Sequence, residues 1–330
     1  MKGHRIFMTG GAGFIGSHLV ARLADDNEIT VFDTLQRNAL GRTRYAGHPH
    51  VRIVPGDILD GAAVRRTMVG HDTVVHLAAI AGVDTVIKSP THTMKVNIEG
   101  TQRVLEAAVE VGVNHRFLNF STSEVFGSYT YRSSEKDDTQ TGAVGGARWT
   151  YAVAKLAAEH MVASYGREFG LPTVSVRPFN IYGPGQVGEG AIHHFVVRAL
   201  RNQEILIHGH GDQIRSWCYI DDIVDALLLC LNCNEAVGEV FNIGNPRGTV
   251  TIYGLALAVL RVCRSHSPIR FVPREHDDVE LRVPSIAKAQ QLLGYDPKVD
   301  LEEGIRRTAE WYGQQIRHER TTTPTACLTA

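Results

Sequence analysis

The 330-residue chain has no apolar run approaching the roughly 20 residues that a bilayer-spanning helix needs. It has almost no net charge: 34 Lys and Arg stand against 35 Asp and Glu, a formal charge of −1. No global field favours nucleic acid or an anionic membrane, and basic runs interleaved with aromatics are absent. The expectation is therefore no nucleic-acid and no membrane partner. Cysteine is scarce and odd in number, at Cys218, Cys230, Cys233, Cys263 and Cys327, without the spacing of a disulfide framework. Cys230 and Cys233 close an apolar helical stretch with no second pair and no histidine at zinc spacing, so they read as structural and no metal is expected. The ending Cys327-Leu-Thr-Ala330 lacks the aliphatic pattern and polybasic flank of a prenylation box and reads as tail. Met1-Lys2-Gly3-His4-Arg5 runs directly into a strand pattern without a signal-peptide core, and the expected location is the cytoplasm.

What the chain does have is a regular alternation. Apolar, β-branched segments at 5–10, 28–33, 51–54, 73–79, 116–121 and 173–178 read as strands buried on both faces. Helical patterns lie between them at 14–24, 61–68, 97–111 and 151–169. Strands alternating with helices predict an α/β fold, a doubly wound parallel sheet. After Pro178 the texture changes to shorter elements punctuated by glycine loops. This predicts a smaller C-terminal α/β lobe that caps the C-terminal ends of the strands. The expected division is 1–177 for a Rossmann domain, with a contribution from about 217–243, and 178–216 plus 244–316 for the second lobe. Segments 281–293 and 301–314 read as helical, and 317–330 as an irregular tail.

The first strand runs into Gly10-Gly-Ala-Gly13-Phe-Ile-Gly16 and then a helix. Gly10 permits a tight turn, Gly13 lets the backbone approach a pyrophosphate, and Gly16 lets helix and strand pack closely. The amides that open the helix, at Phe14 and Ile15, offer partial positive charge to phosphates. Asp33 ends the second strand, where an acid accepts hydrogen bonds from ribose hydroxyls and repels a 2′-phosphate. NAD is favoured over NADP, with nearby Arg37 the one feature pulling the other way. Asp57 and Ile58 follow the third strand and are placed at the adenine. The fourth strand ends in His76-Leu77-Ala78-Ala79, whose small residues let a cofactor lie against the backbone. His76 itself reads as a packed histidine.

Together with Tyr151-Ala-Val-Ala-Lys155 and Arg177-Pro-Phe-Asn-Ile-Tyr-Gly-Pro-Gly185, this glycine motif resembles the extended short-chain dehydrogenase/reductases. That group contains nucleotide-sugar epimerases, 4,6-dehydratases and decarboxylases. The resemblance covers about residues 5–316. It implies a seven-stranded Rossmann domain, tightly held NAD and a nucleotide-sugar, most readily a UDP-sugar, in the second lobe. It also implies a homodimer formed through helices 97–111 and 151–169.

Tyr151 and Lys155 stand four apart on one helical face. A phenol titrates near pH 10, and a nearby ammonium with the nicotinamide charge would stabilise phenolate. In this resemblance Tyr151 and Lys155 are catalytic, and Lys155 also holds the nicotinamide ribose. Thr122 would hydrogen-bond the sugar hydroxyl being oxidised, with Ser123 and Glu124 beside C5 and C6. Dehydratases of the group usually carry Asp-Glu at those two positions, and simple 4-epimerases tend to lack the glutamate. Ser123-Glu124 resembles UDP-glucuronate decarboxylases, with some GDP-mannose dehydratases sharing it, and Arg148-Trp149 ahead of the tyrosine resembles UDP-glucuronate decarboxylases and UDP-apiose synthases. Asn180, Arg215 and Arg282 match substrate-binding positions, with Arg282 placed on phosphate and Arg215 on the diphosphate or near the reacting sugar. In Arg282-Val-Pro-Ser285, serine replaces the usual aspartate. The expected activity is UDP-glucuronate decarboxylation through a 4-keto sugar, with NDP-sugar 4-epimerisation and 4,6-dehydration as alternatives. A protein of another class, a silent NAD sensor, would be expected to have lost the Tyr/Lys/Thr set, and all three are present.

Overall fold

The computed structural model describes residues 1–188, 190–274 and 278–322. Seven parallel strands form the central sheet: β1 (Arg5–Thr9), β2 (Glu28–Asp33), β3 (Val51–Pro55), β4 (Thr73–His76), β5 (Arg116–Phe120), β6 (Thr173–Pro178) and β7 (Val240–Ile243). Their order is β3-β2-β1-β4-β5-β6-β7, the doubly wound arrangement expected from the alternation. Strand side chains alternate between two cores. Ile6, Met8, Ile29 and Val31 face one side, with Leu19, Val20 and Leu23 of helix Phe14–Leu23 and with helix Ile220–Asn232. Phe7, Phe32, Val74 and Phe117 face the other, with Val64 and Met68 of helix Gly61–Met68, helix Thr101–Val111 and Val162 of helix Thr150–Phe169. Burying both faces is why these strands read as nearly continuous apolar runs, each large side chain contributing roughly 1.5–3 kcal/mol.

Local signals set several helix ends. Asp60 caps Gly61–Met68 by accepting from the Ala63 amide, and Gly112 ends Thr101–Val111 in the left-handed region at φ 76°. The helical region expected at 97–111 begins earlier, at Pro90, and passes through a π-turn at Lys95–Gly100.

The smaller lobe carries a four-stranded sheet in the order Thr249–Thr251, Ile214–Ser216, Leu281–Pro284, Tyr129–Ser133. Two expectations are corrected here. Segment 281–293 is not one helix: Leu281–Pro284 is a strand between Ile214–Ser216 and Tyr129–Ser133, and only Ala287–Leu293 is helical. Pro284 cannot continue a helix from the preceding residues, and the strand's partners lie far away in sequence. Likewise the tail does not begin at 317, because helix Leu301–Thr322 runs on past Arg317. Cys327 and the other residues after Thr322 lie outside the described residues. Residues 129–133 fall within the 1–177 assigned to the Rossmann domain, yet they form a strand, Tyr129–Ser133, of the second lobe's sheet. This brings the turn after β5 against Leu281–Pro284, and that contact positions the site.

No helix among the described residues is long and apolar enough to cross a membrane.

Candidate active site

A crevice opens at the C-terminal ends of β1, β2, β3 and β4. Of the residues expected at a cofactor, Gly10, Gly13, Asp33, Asp57, Ile58, Leu77, Ala78 and Ala79 line it. Gly10 sits at φ 69°, and a Cβ there would lie 2.5 Å from the Ala78 backbone nitrogen. Only glycine lets the β1 turn and the β4 end approach this closely. Asp33 is fixed at the mouth: its Oδ2 accepts from the Ala12 amide at 3.0 Å and its Oδ1 from the Leu35 amide at 2.8 Å. Phe14, Ile15 and Gly16 do not line the crevice. They form the first turn of helix Phe14–Leu23, with Phe14 and Ile15 packed against the core. Arg37 and Thr85 also line it, with an Arg37 Nη2 to Thr85 Oγ1 hydrogen bond of 3.3 Å. Thr85 carried no local signal. An open backbone at Gly10, small side chains at Ala78 and Ala79, and a fixed acid at the end of β2 together fit an adenine dinucleotide with free ribose hydroxyls.

His76 is a packing residue. It is fully buried, with Nδ1 2.7 Å from Thr9 Oγ1 and Nε2 2.9 Å from Thr101 Oγ1. Burial pushes its pKa down to about 3, helped by the Lys155 charge, so the ring is neutral. Among the described residues, no group of three or more His, Cys, Asp or Glu gathers in a way that could hold a metal ion.

Tyr151 and Lys155 occupy the first turns of helix Thr150–Phe169. Lys155 is buried, and desolvation lowers its ammonium to about 8 against the opposing pull of Glu159 one turn on. Glu159 is itself buried and held by Arg177, whose Nε lies 3.1 Å from both carboxylate oxygens and whose Nη2 lies 2.5 Å from Oε1. The i, i+4 spacing of Lys155 and Glu159 was the available signal for this residue. Tyr151 is half-buried, and its phenol is raised above the ordinary range. Burial is the main cause and the Glu124 charge the second, offset in part by a hydrogen bond with Thr122 and by Arg282. The expected lowering by Lys155 is not met by the protein's own charges; that ammonium acts on His76 and sits with Glu159 instead.

A buried ammonium has a stability cost with a definite sign. Between about pH 8 and the ordinary 10.5, the unfolded chain binds more protons at this position, so stability rises with pH across that window. At pH 7 the cost is fully present, on the order of a few kcal/mol. Lys155→Met is therefore expected to melt several degrees higher than wild type at pH 7, with the advantage shrinking as pH rises towards 10.5. A thermal melt across pH checks this, and a lower melting temperature for the variant at pH 7 would refute it.

The turn after β5 is a single 3-10 turn, Ser123–Phe126, capped by Thr122, whose hydroxyl accepts from the Glu124 amide at 3.2 Å. Thr122 and Ser123 are buried. Glu124 is gripped by Arg148: Nη1 lies 2.7 Å from Oε2 and Nη2 3.2 Å from Oε1. Arg282 Nη1 adds a third contact at 3.6 Å from Oε1, while its Nη2 donates to the Gly127 carbonyl at 3.4 Å. The same Arg148 Nη2 also donates to Asp278 Oδ1 at 2.9 Å. Arg215 also reaches Asp278, at 3.4 Å, and donates to the Val279 carbonyl. Among the described residues, three buried guanidinium groups thus face Glu124 and Asp278 beside Tyr151, with Glu280 a further acid acting on Arg215.

Desolvation would raise Glu124, but Arg148 and Arg282 outweigh it and hold the carboxyl below its usual range. Asp278 is lowered by the same balance, burial against Arg215 and Arg148. Arg282 is brought down to about 10, chiefly by burial, and stays charged at neutral pH. Trp149 packs with Ala152 and Val279 and is a packing residue here. Asn180 stands in the left-handed region at φ 39° and donates to the Ser216 carbonyl at 2.9 Å. It braces the segment carrying Arg215. Asp278 was not foreseen, because its partner Arg148 lies far back in the chain.

The family model for the NAD dependent epimerase/dehydratase family matches residues 6–244. The chain belongs to this family. Among its members, the UDP-N-acetyl-alpha-D-glucosaminuronate decarboxylase of Bacillus cytotoxicus is 33% identical over 320 residues, covering 93% of this chain and 97% of that protein. UDP-glucuronic acid decarboxylase 1 of Danio rerio is 33% identical, covering 96% of this chain and 74% of that one. The fold is shared by the crystal structure of UDP-glucuronic acid 4-epimerase from Bacillus cereus in complex with UDP-glucuronic acid and NAD. It superimposes with a TM-score of 0.86 at 29% identity, covering 94% of this chain and 99% of that chain. This epimerase/dehydratase chain therefore shares its fold and family with UDP-sugar decarboxylases and a UDP-sugar 4-epimerase.

Proposed function

We propose that the protein decarboxylates a UDP-sugar bearing a carboxylate at C5, with UDP-glucuronate as the first candidate, and does so as a homodimer through helices Thr101–Val111 and Thr150–Phe169. The carrying observation is the cluster of three buried arginines around Glu124 and Asp278 next to Tyr151. Three buried guanidinium groups offer partners to a sugar carboxylate as well as to the diphosphate that every UDP-sugar carries. The relatives named as decarboxylases of two different UDP-uronates support the same substrate class.

Gly10, Gly13, Asp33, Asp57, Ile58 and Leu77–Ala79 would hold NAD, with Lys155 on the nicotinamide ribose. Bound NAD supplies the redox chemistry at C4, taking hydride and later returning it. Thr122 orients the sugar O4 and Tyr151 takes its proton. With C4 oxidised, a C5 carboxylate belongs to a β-keto acid. The C5–C6 bond breaks, CO2 leaves, and its electron pair passes into the C4 carbonyl as an enolate. That step needs no base at C5. A solvent-derived proton then adds to C5, Tyr151 returns its proton to O4, and the product is a UDP-pentose. Arg215 and Arg282 hold the anionic groups of the substrate, and Asn180 keeps the Arg215 segment in place.

The reading is tested by paired incubations with UDP-glucuronate and UDP-glucose, followed by NMR. A pentose from the first and no turnover of the second is expected. Turnover of UDP-glucose with none of UDP-glucuronate would overturn it.

A further inference from the structure

We propose that Arg148 is a positioning residue that fixes the course of the reaction by withdrawing Glu124 from acid–base chemistry at C5. This rests on the reading above. Tyr151 works at C4, and its phenol meets both Thr122 and the Glu124 charge. Thr122 and Glu124 share one turn, the Thr122 hydroxyl accepting from the Glu124 amide at 3.2 Å, so on that reading Glu124 lies on the C5 side of the sugar. Once C4 is a ketone, the C5 proton is acidic. A free carboxylate in that place removes it and opens exchange, or elimination where C6 bears a hydroxyl.

In this chain the carboxylate is not free. Both oxygens are taken by Arg148, at 2.7 and 3.2 Å, and Oε1 is shared with Arg282 at 3.6 Å. Arg148 is pinned in turn. Asp278 accepts from its Nη2 at 2.9 Å, its guanidinium lies 5.1 Å over the Trp149 ring, and Trp149 packs against Val279. A doubly bonded carboxylate stabilised as the anion is a weak base. Decarboxylation loses nothing by this, because CO2 departs without proton removal at C5. Exchange of the C5 proton does lose its base, as does elimination of water from a 4-keto sugar whose C6 bears a hydroxyl. Arg148, three residues before Tyr151, so leaves CO2 loss open to a 4-keto uronate while withholding the base that would exchange its C5 proton.

The test counts deuterium at C5 of the product made from UDP-glucuronate in D2O. One deuterium enters when the enolate is protonated after CO2 loss. A second enters only if a base exchanges the original C5 proton. Wild type is expected to give a singly deuterated C5. Arg148→Met, and Arg148→Lys as the milder variant that keeps the cation, are expected to raise the doubly deuterated fraction at least about tenfold. Adding Glu124→Gln to either should return it to the wild-type pattern. Singly deuterated product from both Arg148 variants overturns the inference. So does a doubly deuterated wild-type product, or exchange that survives Glu124→Gln. If wild type yields only a C4 epimer, decarboxylation fails as the function, and deuterium at C5 of the recovered sugar still decides the role of Arg148.

Discussion

Tyr151→Phe is expected to lower kcat about a thousandfold while leaving KM for the UDP-sugar and the bound cofactor near wild-type levels. The phenol is the one acid–base group at the site that both Thr122 and the substrate-side charges address. Its proton is high in the free protein because burial and Glu124 disfavour phenolate, and Thr122 and Arg282 only partly offset them. The nicotinamide charge and substrate O4 must supply the remaining stabilisation, so the group ionises only in the assembled complex. Phe keeps the ring and loses the oxygen. Steady-state kinetics on UDP-glucuronate check this, and turnover within tenfold of wild type would remove Tyr151 from the mechanism.

Gly10→Ala is the second large effect. Its φ of 69° is costly for any residue with a Cβ, by roughly 1–3 kcal/mol. The added carbon would also meet the Ala78 nitrogen at 2.5 Å and the Leu77 carbonyl carbon at 2.7 Å. Both neighbours are backbone, so the β1 turn or the end of β4 must move, and both line the cofactor crevice. NAD affinity is expected to fall about ten- to a hundredfold, with a melting temperature several degrees lower. Calorimetric titration of the cofactor-stripped protein with NAD reads the first. Unchanged affinity would mean that the crevice is not the dinucleotide site.

The parts of the molecule that were legible in the sequence were those set by near neighbours. Strands β1 to β6 announced themselves because both faces are buried, and Tyr151 and Lys155 because helical spacing puts them on one face. Glu159 was equally local and went unread. The second lobe was not legible: its strands are three to five residues long in the four-stranded sheet, and Leu281–Pro284 gains strand character only from Tyr129–Ser133 and Ile214–Ser216. The arginine cluster was hidden for the same reason. Arg148 and Asp278 are separated by 130 positions, and Arg215 and Asp278 by 63. Family resemblance placed Arg282 on phosphate and Arg215 on the diphosphate or near the sugar, and the fold ties both into the network around Glu124 and Asp278. No spacing rule reports that a glutamate beside Tyr151 is already paired with an arginine.

The central claim is that C6 leaves the sugar. UDP-glucuronate labelled with 13C at C6, incubated with the purified protein and followed by NMR, tests it most directly. The account predicts label in CO2 and bicarbonate, matched mole for mole by an unlabelled UDP-pentose. Label retained in a UDP-hexuronate, whether the starting sugar or its C4 epimer, would contradict it.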